Sequence, residues 1–288
     1  MMFQKVAVAG FGLIGGSVAL ALREAAPQCQ IVAIDRAAVV SEALAAGAAD
    51  AGGDDLALAD GAELVVLAAP VRQNIGLLHD LPSRVRGEAL VTDVGSTKRA
   101  IVAAASHLPS RLRFVGGHPL AGAATGGFAS ARADLFRGRP WIFSPTGNQQ
   151  DPDVERLMAF VSQFGALPKA MDAGAHDRLM AYISHLPQLA VSALMQVVGE
   201  RAGREGLRLA GTGLRDTTRL ASSPAGTWRD VTATNVDALG AAIDDLTLAL
   251  QRLKTDLTDG LELERVFDHA AFWKRTLDGS DEDDRGES

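Results

Sequence analysis

A single cysteine, Cys29, serves all 288 residues. No disulfide can form within the chain, and a reducing compartment fits that usage. Aromatic residues make up only 5% of the chain, so the abundant alanine and glycine point to close-packed helices and tight backbone approaches instead of a bulky aromatic core. No apolar run reaches the roughly 18 to 20 residues that a membrane helix needs. The sequence enters strand-like residues at once, without a charged and cleavable leader. A cytoplasmic protein with no membrane contact is the expectation. Basic residues are not in surplus: the formal net charge is −7, and the absence of a basic patch argues against a nucleic-acid partner. No cluster of His, Cys and Asp has ligand spacing, so no metal is expected.

What is present is apolar sequence in short bursts. Apolar residues make up 47% of the chain, enough for one large domain or two ordinary ones. KVAVAG (Lys5 to Gly10), QIVAID (Gln30 to Asp35), LVVLAAP (Leu64 to Pro70), ALVTDVG (Ala89 to Gly95) and LRFVGGH (Leu112 to His118) are too short for helices and rich in Val, Ile and Leu. They read as buried parallel strands. Ala-rich helical stretches separate them, so the pattern predicts βαβ units and a doubly wound, Rossmann-type parallel sheet. RPWIFSPT (Arg139 to Thr146) and ALPKAMD (Ala166 to Asp172) offer further strands. After Asp172 the strands stop. The run from His176 to Gly203 reads as one long helix, and two more amphipathic helices follow, NVDALGAAIDDLTLALQRLKTDL and LELERVFDHAAFWKRTL. An α/β dinucleotide-binding domain is therefore expected at 1–172 and an all-helical domain at 173–278. The acidic tail 279–288 is expected to be disordered.

GFGLIGG (Gly10 to Gly16) sits where the first strand meets the first helix. Gly10, Gly12 and Gly15 fill the G-x-G-x-x-G pattern, with Leu13 and Ile14 between the last two. In that context the pattern provides a tight turn, a close approach to a pyrophosphate and a close helix–sheet contact. Asp35 ends the second strand, where a carboxylate holds ribose hydroxyls. It disfavours a 2′-phosphate, so NAD is expected ahead of NADP, although Arg36 follows directly. Flavin is disfavoured, because no second stretch is devoted to it.

Ligands of an open parallel sheet lie outside the strand carboxyl ends. Three strand ends therefore stand out: Ala69-Pro70, Gly95-Ser96 and His118. Gly116 and Gly117 read as positions stripped of side chains so that His118 can stand in the cleft. Plainer readings exist. Ser96 can be an N-cap for the following helix, and Lys98 a solvated side chain.

The motifs GFGLIGGS, VTDVGSTK, GGHPLAG, DLFRG, HDRLMAYISHLPQ, RDTTRLA and WRDVTATN occur in that order over nearly the whole chain. Taken together, they make it resemble the prephenate and arogenate dehydrogenases of tyrosine biosynthesis. The resemblance implies an NAD-dependent oxidative decarboxylation of a cyclohexadienol. It implies His118 as the acceptor of the hydroxyl proton, Ser96 as a hydrogen-bonding partner of that hydroxyl, and Arg219 as the cation for the ring carboxylate. His185 and Trp228 become substrate-pocket residues, with Trp228 near a subunit interface. A homodimer through the helical domain is implied, and tyrosine, being product-shaped, is a candidate inhibitor at the active site.

Without the resemblance, Arg219 reads as a surface ion pair with Asp216, His185 as a core histidine, and Trp228 as a core aromatic. Pro187 predicts a kink beside His185. One departure from the family pattern is Ala124, where members commonly carry a glutamate. It leaves the choice between prephenate and arogenate open, with a lean toward arogenate or dual use. No added regulatory or mutase segment is expected. The rival readings are a β-hydroxyacid or pyrroline-carboxylate type of dehydrogenase, and an NAD-binding sensor without catalysis.

Overall fold

The computed structural model describes residues 3–123, 125–147 and 151–279. Its strands are β1 (Lys5–Ala9), β2 (Gln30–Ile34), β3 (Ala51–Gly53), β4 (Leu64–Leu67), β5 (Ala89–Asp93), β6 (Leu112–Pro119), β7 (Pro140–Pro145) and β8 (Leu167–Ala170). They form one sheet in the order β3-β2-β1-β4-β5-β6-β7-β8. The pairs from β3 to β6 are parallel.

The strand runs are continuously apolar because both faces of the sheet are covered. Val6 and Val8 of β1, with Leu64 and Val66 of β4, join one buried cluster together with α1 (Leu13–Ala25), α2 (Ala37–Ala45) and α5 (Pro152–Ser162). Ala7, Ala9, Val65 and Leu67 alternate with them and face α3 (Val71–Arg84) and α4 (Arg99–Ala105). This is the period-two pattern of a strand buried on both sides.

Two strands depart from the expected all-parallel sheet. β7 runs antiparallel to β6, with His118 opposite Ile142, and β8 returns parallel to β7. The link from β6 to β7 carries only a 3₁₀ turn at Phe128–Ser130 among its described residues. Antiparallel neighbours need no helical crossover, whereas β7 and β8 are joined through α5. β3 was not read from the sequence at all, because Ala51-Gly52-Gly53 carries no apolar side chain larger than a methyl.

The helical part contains α6 (Ala173–Met180), a π-helical turn at Ala181–His185, α7 (Leu186–Arg208), α8 (Thr212–Thr217), α9 (Ala225–Thr234), α10 (Val236–Thr255) and α11 (Leu261–Leu277). The single long helix expected from 176 to 203 is thus interrupted. Pro187 has no N–H to give back to the preceding turn, and the wider π turn lies directly before it. The Asp172 side chain accepts a hydrogen bond from the Ala175 amide at 2.8 Å and starts α6.

The chain falls into two compact units, Met1–Leu239 and Gly240–Ser288. In the second, Asp256 accepts from the Glu262 amide at 2.6 Å and caps α11, while Phe267, Phe272 and Trp273 are exposed. Among the described residues no helix is long and apolar enough to cross a membrane. The acidic stretch from 280 onward lies outside the described residues, as does Ala124.

Candidate active site

β1 and β4 are neighbours although β2 and β3 intervene in sequence. At this reversal of strand order a crevice opens beyond the strand ends. One cleft there, of about 490 Å³, is lined by Gly10, Gly12, Asp35, Arg36, Ala69 and Pro70, among others. Gly10 has φ +95°, and a Cβ there would lie 2.5 Å from the carbonyl carbon of Ala68. Gly12 is different: a Cβ on it would meet nothing within 4 Å, so the space it leaves is open. No side chain caps the start of α1, which leaves amide donors for an anion. Asp35 accepts from the Phe11 amide at 2.7 Å and the Arg36 amide at 2.7 Å, and its carboxylate faces the cleft with lone pairs to spare. Open space at Gly12, free amides and a carboxylate at the second strand end fit the phosphates and ribose of a dinucleotide.

A second cleft, of about 750 Å³, shares Ala69 and Pro70 with the first. Leu13 and Ile14 of α1 line it, and Gly95, Ser96, His118 and Trp228 line it further along. Gly15 is buried at the turn itself, where a Cβ would lie 2.0 Å from the Gly10 carbonyl oxygen. His118 also borders a third space, with Met180, Ile183 and Ser184. The strand ends singled out from the sequence therefore do converge on one continuous crevice.

Around His118 the structure adds residues that the sequence did not mark. His118 Nδ1 lies 2.8 Å from His176 Nε2, and His176 Nδ1 lies 2.8 Å from Asp177 Oδ1. His176 and Asp177 have no exposed surface. Asp177 also accepts from the amides of Lys98 at 2.7 Å and Arg99 at 2.9 Å, so it caps α4 from α6. In the same way Asp230 of α9 accepts from the Arg72 amide at the start of α3. Two helical-segment carboxylates thus sit on the N-termini of sheet helices. Burial pushes the His118 imidazole well below its ordinary value, and its positively chargeable neighbours His176, Lys98 and His185 push it the same way. The neutral ring, able to accept a proton, is the stable form.

Several sequence readings are corrected here. Lys98 is not solvated: it is fully buried, 2.5 Å from Asp93 Oδ2 and 2.7 Å from the Gly117 carbonyl oxygen. Ser96 does not cap α4; Lys98 holds the cap position and the capping carboxylate is that of Asp177. Gly116 and Gly117 do not serve chiefly to clear space for His118. A Cβ on Gly117 would lie 2.5 Å from the Asp93 carbonyl oxygen, so glycine there is demanded by the neighbouring strand. No ion pair joins Arg219 to Asp216 among the described residues. Arg219 is exposed, on the 3₁₀ turn Arg219–Ser222, and does not line either cleft.

His185 is buried, and burial pushes its imidazole down to about 4. Its ring stands edge-on to Trp228 with centroids 6.1 Å apart, and its Nδ1 is 3.4 Å from Asn235 Nδ2. Trp228 therefore links the cleft to a histidine behind it. The signal for His176 and Asp177 was present as an adjacent His-Asp pair in HDRLMAY. Nothing local tied that pair to a strand end 58 residues earlier.

Residues 18–168 match the family model for the prephenate dehydrogenase nucleotide-binding domain, and residues 172–268 match that for the prephenate dehydrogenase dimerization domain. The prephenate dehydrogenase of Bacillus subtilis is 35% identical over 286 residues, covering 96% of this chain and 76% of that protein. A crystal structure of prephenate dehydrogenase from A. aeolicus, in complex with hydroxyphenyl propionate and NAD+, superposes with a TM-score of 0.87 at 28% identity, over 96% of this chain and 99% of that one. The structure of Synechocystis arogenate dehydrogenase gives a TM-score of 0.81 at 30% identity, over 95% and 99%. With both of its parts matched in order, the chain belongs to the prephenate dehydrogenase family.

Proposed function

We propose that the chain catalyses the NAD-dependent oxidative decarboxylation of prephenate, arogenate or both, a step that makes 4-hydroxyphenylpyruvate or tyrosine. One observation carries the reading: His118, held neutral, lies with Ser96 on a crevice continuous with the nucleotide cleft. When bound, the nicotinamide would accept the hydride released as the carbinol C–H bond of the substrate breaks. His118 takes the proton of the substrate hydroxyl, and Ser96 hydrogen-bonds the same oxygen. The bond from the ring to its carboxylate breaks, and its electron pair enters the ring as carbon dioxide leaves. The ring becomes aromatic, and the phenol oxygen recovers the proton. Arg219 pairs with the ring carboxylate before it departs; since it stands outside the clefts, this assignment rests on the family resemblance. His185 and Trp228 shape the substrate end. Asp35 favours NAD over NADP.

The division of labour follows the chain: residues 1–172 bind the dinucleotide, and residues 173–278 complete the substrate pocket and form a homodimer. Tyrosine competes with the substrate.

The test is His118→Asn with both substrates and both cofactors, followed by absorbance of the reduced nicotinamide. Turnover should fall by about 10² to 10⁴, the usual contribution of a general base, while NAD binding persists. Wild-type protein that binds NAD but oxidises neither substrate would favour a cofactor-binding sensor instead.

A further inference from the structure

We propose that His176 and Asp177 are positioning residues for the proton acceptor: together they keep the proton of His118 on Nδ1, leaving Nε2 as the free base. The inference deepens the function proposed above and rests on it. Three groups form a line, His118 Nδ1 to His176 Nε2 at 2.8 Å and His176 Nδ1 to Asp177 Oδ1 at 2.8 Å. Its orientation is anchored at the far end. Burial opposes the charge of Asp177, yet hydrogen bonds from His176 and from the amides of Arg99 and Lys98 hold its carboxyl below the usual range. A carboxylate can only accept, so His176 Nδ1 must carry its proton. With Nδ1–H committed to Asp177, Nε2 of His176 faces His118 Nδ1 as the acceptor, and its lone pair selects the Nδ1–H form of His118.

The anchor is rigid as well as charged. Both Asp177 oxygens are engaged by the first turn of α4, and its own carbonyl accepts from Asn235 Nδ2 at 2.8 Å. The His176 ring meets that of His118 edge-on, centroids 5.1 Å apart. When His118 takes up the substrate proton on Nε2, its Nδ1 proton can move toward His176 Nε2. The positive charge then spreads over two rings beside an ionised carboxylate, and no atom is gained or lost.

The experiment compares His176→Leu with His176→Gln, and adds ¹⁵N spectra of the ring nitrogens in the ligand-free protein. Glutamine keeps a carbonyl that can accept from Nδ1–H; leucine does not. His176→Leu should lower kcat by about a hundredfold or more, as expected when a base loses its tautomer control. His176→Gln should recover most of that loss. KM and the NAD dissociation constant should move by less than about threefold, because only the proton-transfer step is affected. The wild-type spectrum should show His118 as the Nδ1–H form. An Nε2–H form of His118, an unchanged kcat in His176→Leu, or equal losses in the two variants would each overturn the proposal. The spectrum needs neither substrate nor a folded variant. A wild-type protein inactive on both substrates would therefore sink the proposed function while leaving the tautomer assignment separately decided.

Discussion

The ammonium of Lys98 lies 2.5 Å from the carboxylate of Asp93, and neither side chain has any exposed surface. Burial pushes Asp93 up and Lys98 down, and each partner pulls the other back toward its charged form. Amides of Gly95 and Gly117 donate to the same carboxylate, at 2.7 and 3.0 Å. The pair therefore ties the end of β5 to the strand that carries His118. Lys98→Met should cost about 3–5 kcal/mol at neutral pH, since an uncompensated buried carboxylate remains. The deficit should shrink as the pH falls and Asp93 takes up a proton. Urea unfolding at several pH values measures it; an unchanged midpoint would show that the pair contributes nothing.

Gly10 and Gly12 should respond differently to the same added methyl group. Gly10→Ala meets backbone 2.5 Å away and needs φ +95°, so it should lower both stability and dinucleotide affinity. Gly12→Ala enters open space in the protein. It should leave the melting temperature unchanged while weakening NAD binding by about tenfold or more, roughly 1.4 kcal/mol. Calorimetric titration beside a thermal melt separates the two cases, and undiminished NAD affinity in Gly12→Ala would remove the phosphates from that turn.

Asp35→Asn keeps an acceptor for the Phe11 amide but loses the charge at the second strand end. Its kcat/KM with NAD should drop about tenfold, by loss of a charged hydrogen bond, and the gap between NAD and NADP should narrow. Equal preference for the two cofactors in the wild-type protein would contradict this role for Asp35.

The proposed base must be neutral to work, and desolvation, with His176, Lys98 and His185 next, holds His118 well below the ordinary imidazole value. A lowered value moves protonation to more acid solution. The profile of kcat/KM should thus stay level from about pH 6.5 upward, and its acid limb should lie below that point. A limb centred at or above pH 6.5 would mean that the titrating base is not His118.

His185 gives a stability effect of determinate sign. Burial holds it near 4 in the folded protein, against about 6.5 in an unfolded chain. Between these values the unfolded chain binds a proton that the folded one refuses. Stability is then fully present above pH 6.5 and falls as the solution is acidified toward pH 4, by on the order of 3 kcal/mol. His185→Leu should flatten the curve of unfolding free energy across that window. Parallel curves for the two proteins would exclude His185 as the source.

The sheet was readable because its signals are short-range. Val6, Val8, Leu64 and Val66 advertise buried strands by themselves, and Gly10 to Gly15 mark the turn that follows. β3 escaped because two of its three residues are glycine, and the reversal at β7 because strand direction depends on the route of the connection. Ser96 and His118 were legible as strand ends. Arg219 was legible only through the family resemblance, and its exposed place on a 3₁₀ turn does not bring it into the cleft.

Residue order alone dictated the alternation of strand and helix, the glycine turn and the carboxylate at the end of β2, because each depends on neighbours a few positions apart. The folded chain decided which charges are paired and which rings face one another. Lys98 looks solvent-bound in sequence and is buried on Asp93; His176 looks like one helical residue among many and touches His118. Such partners lie on different elements, and the free energy that selects them, desolvation set against a hydrogen bond, exists only once those elements have packed.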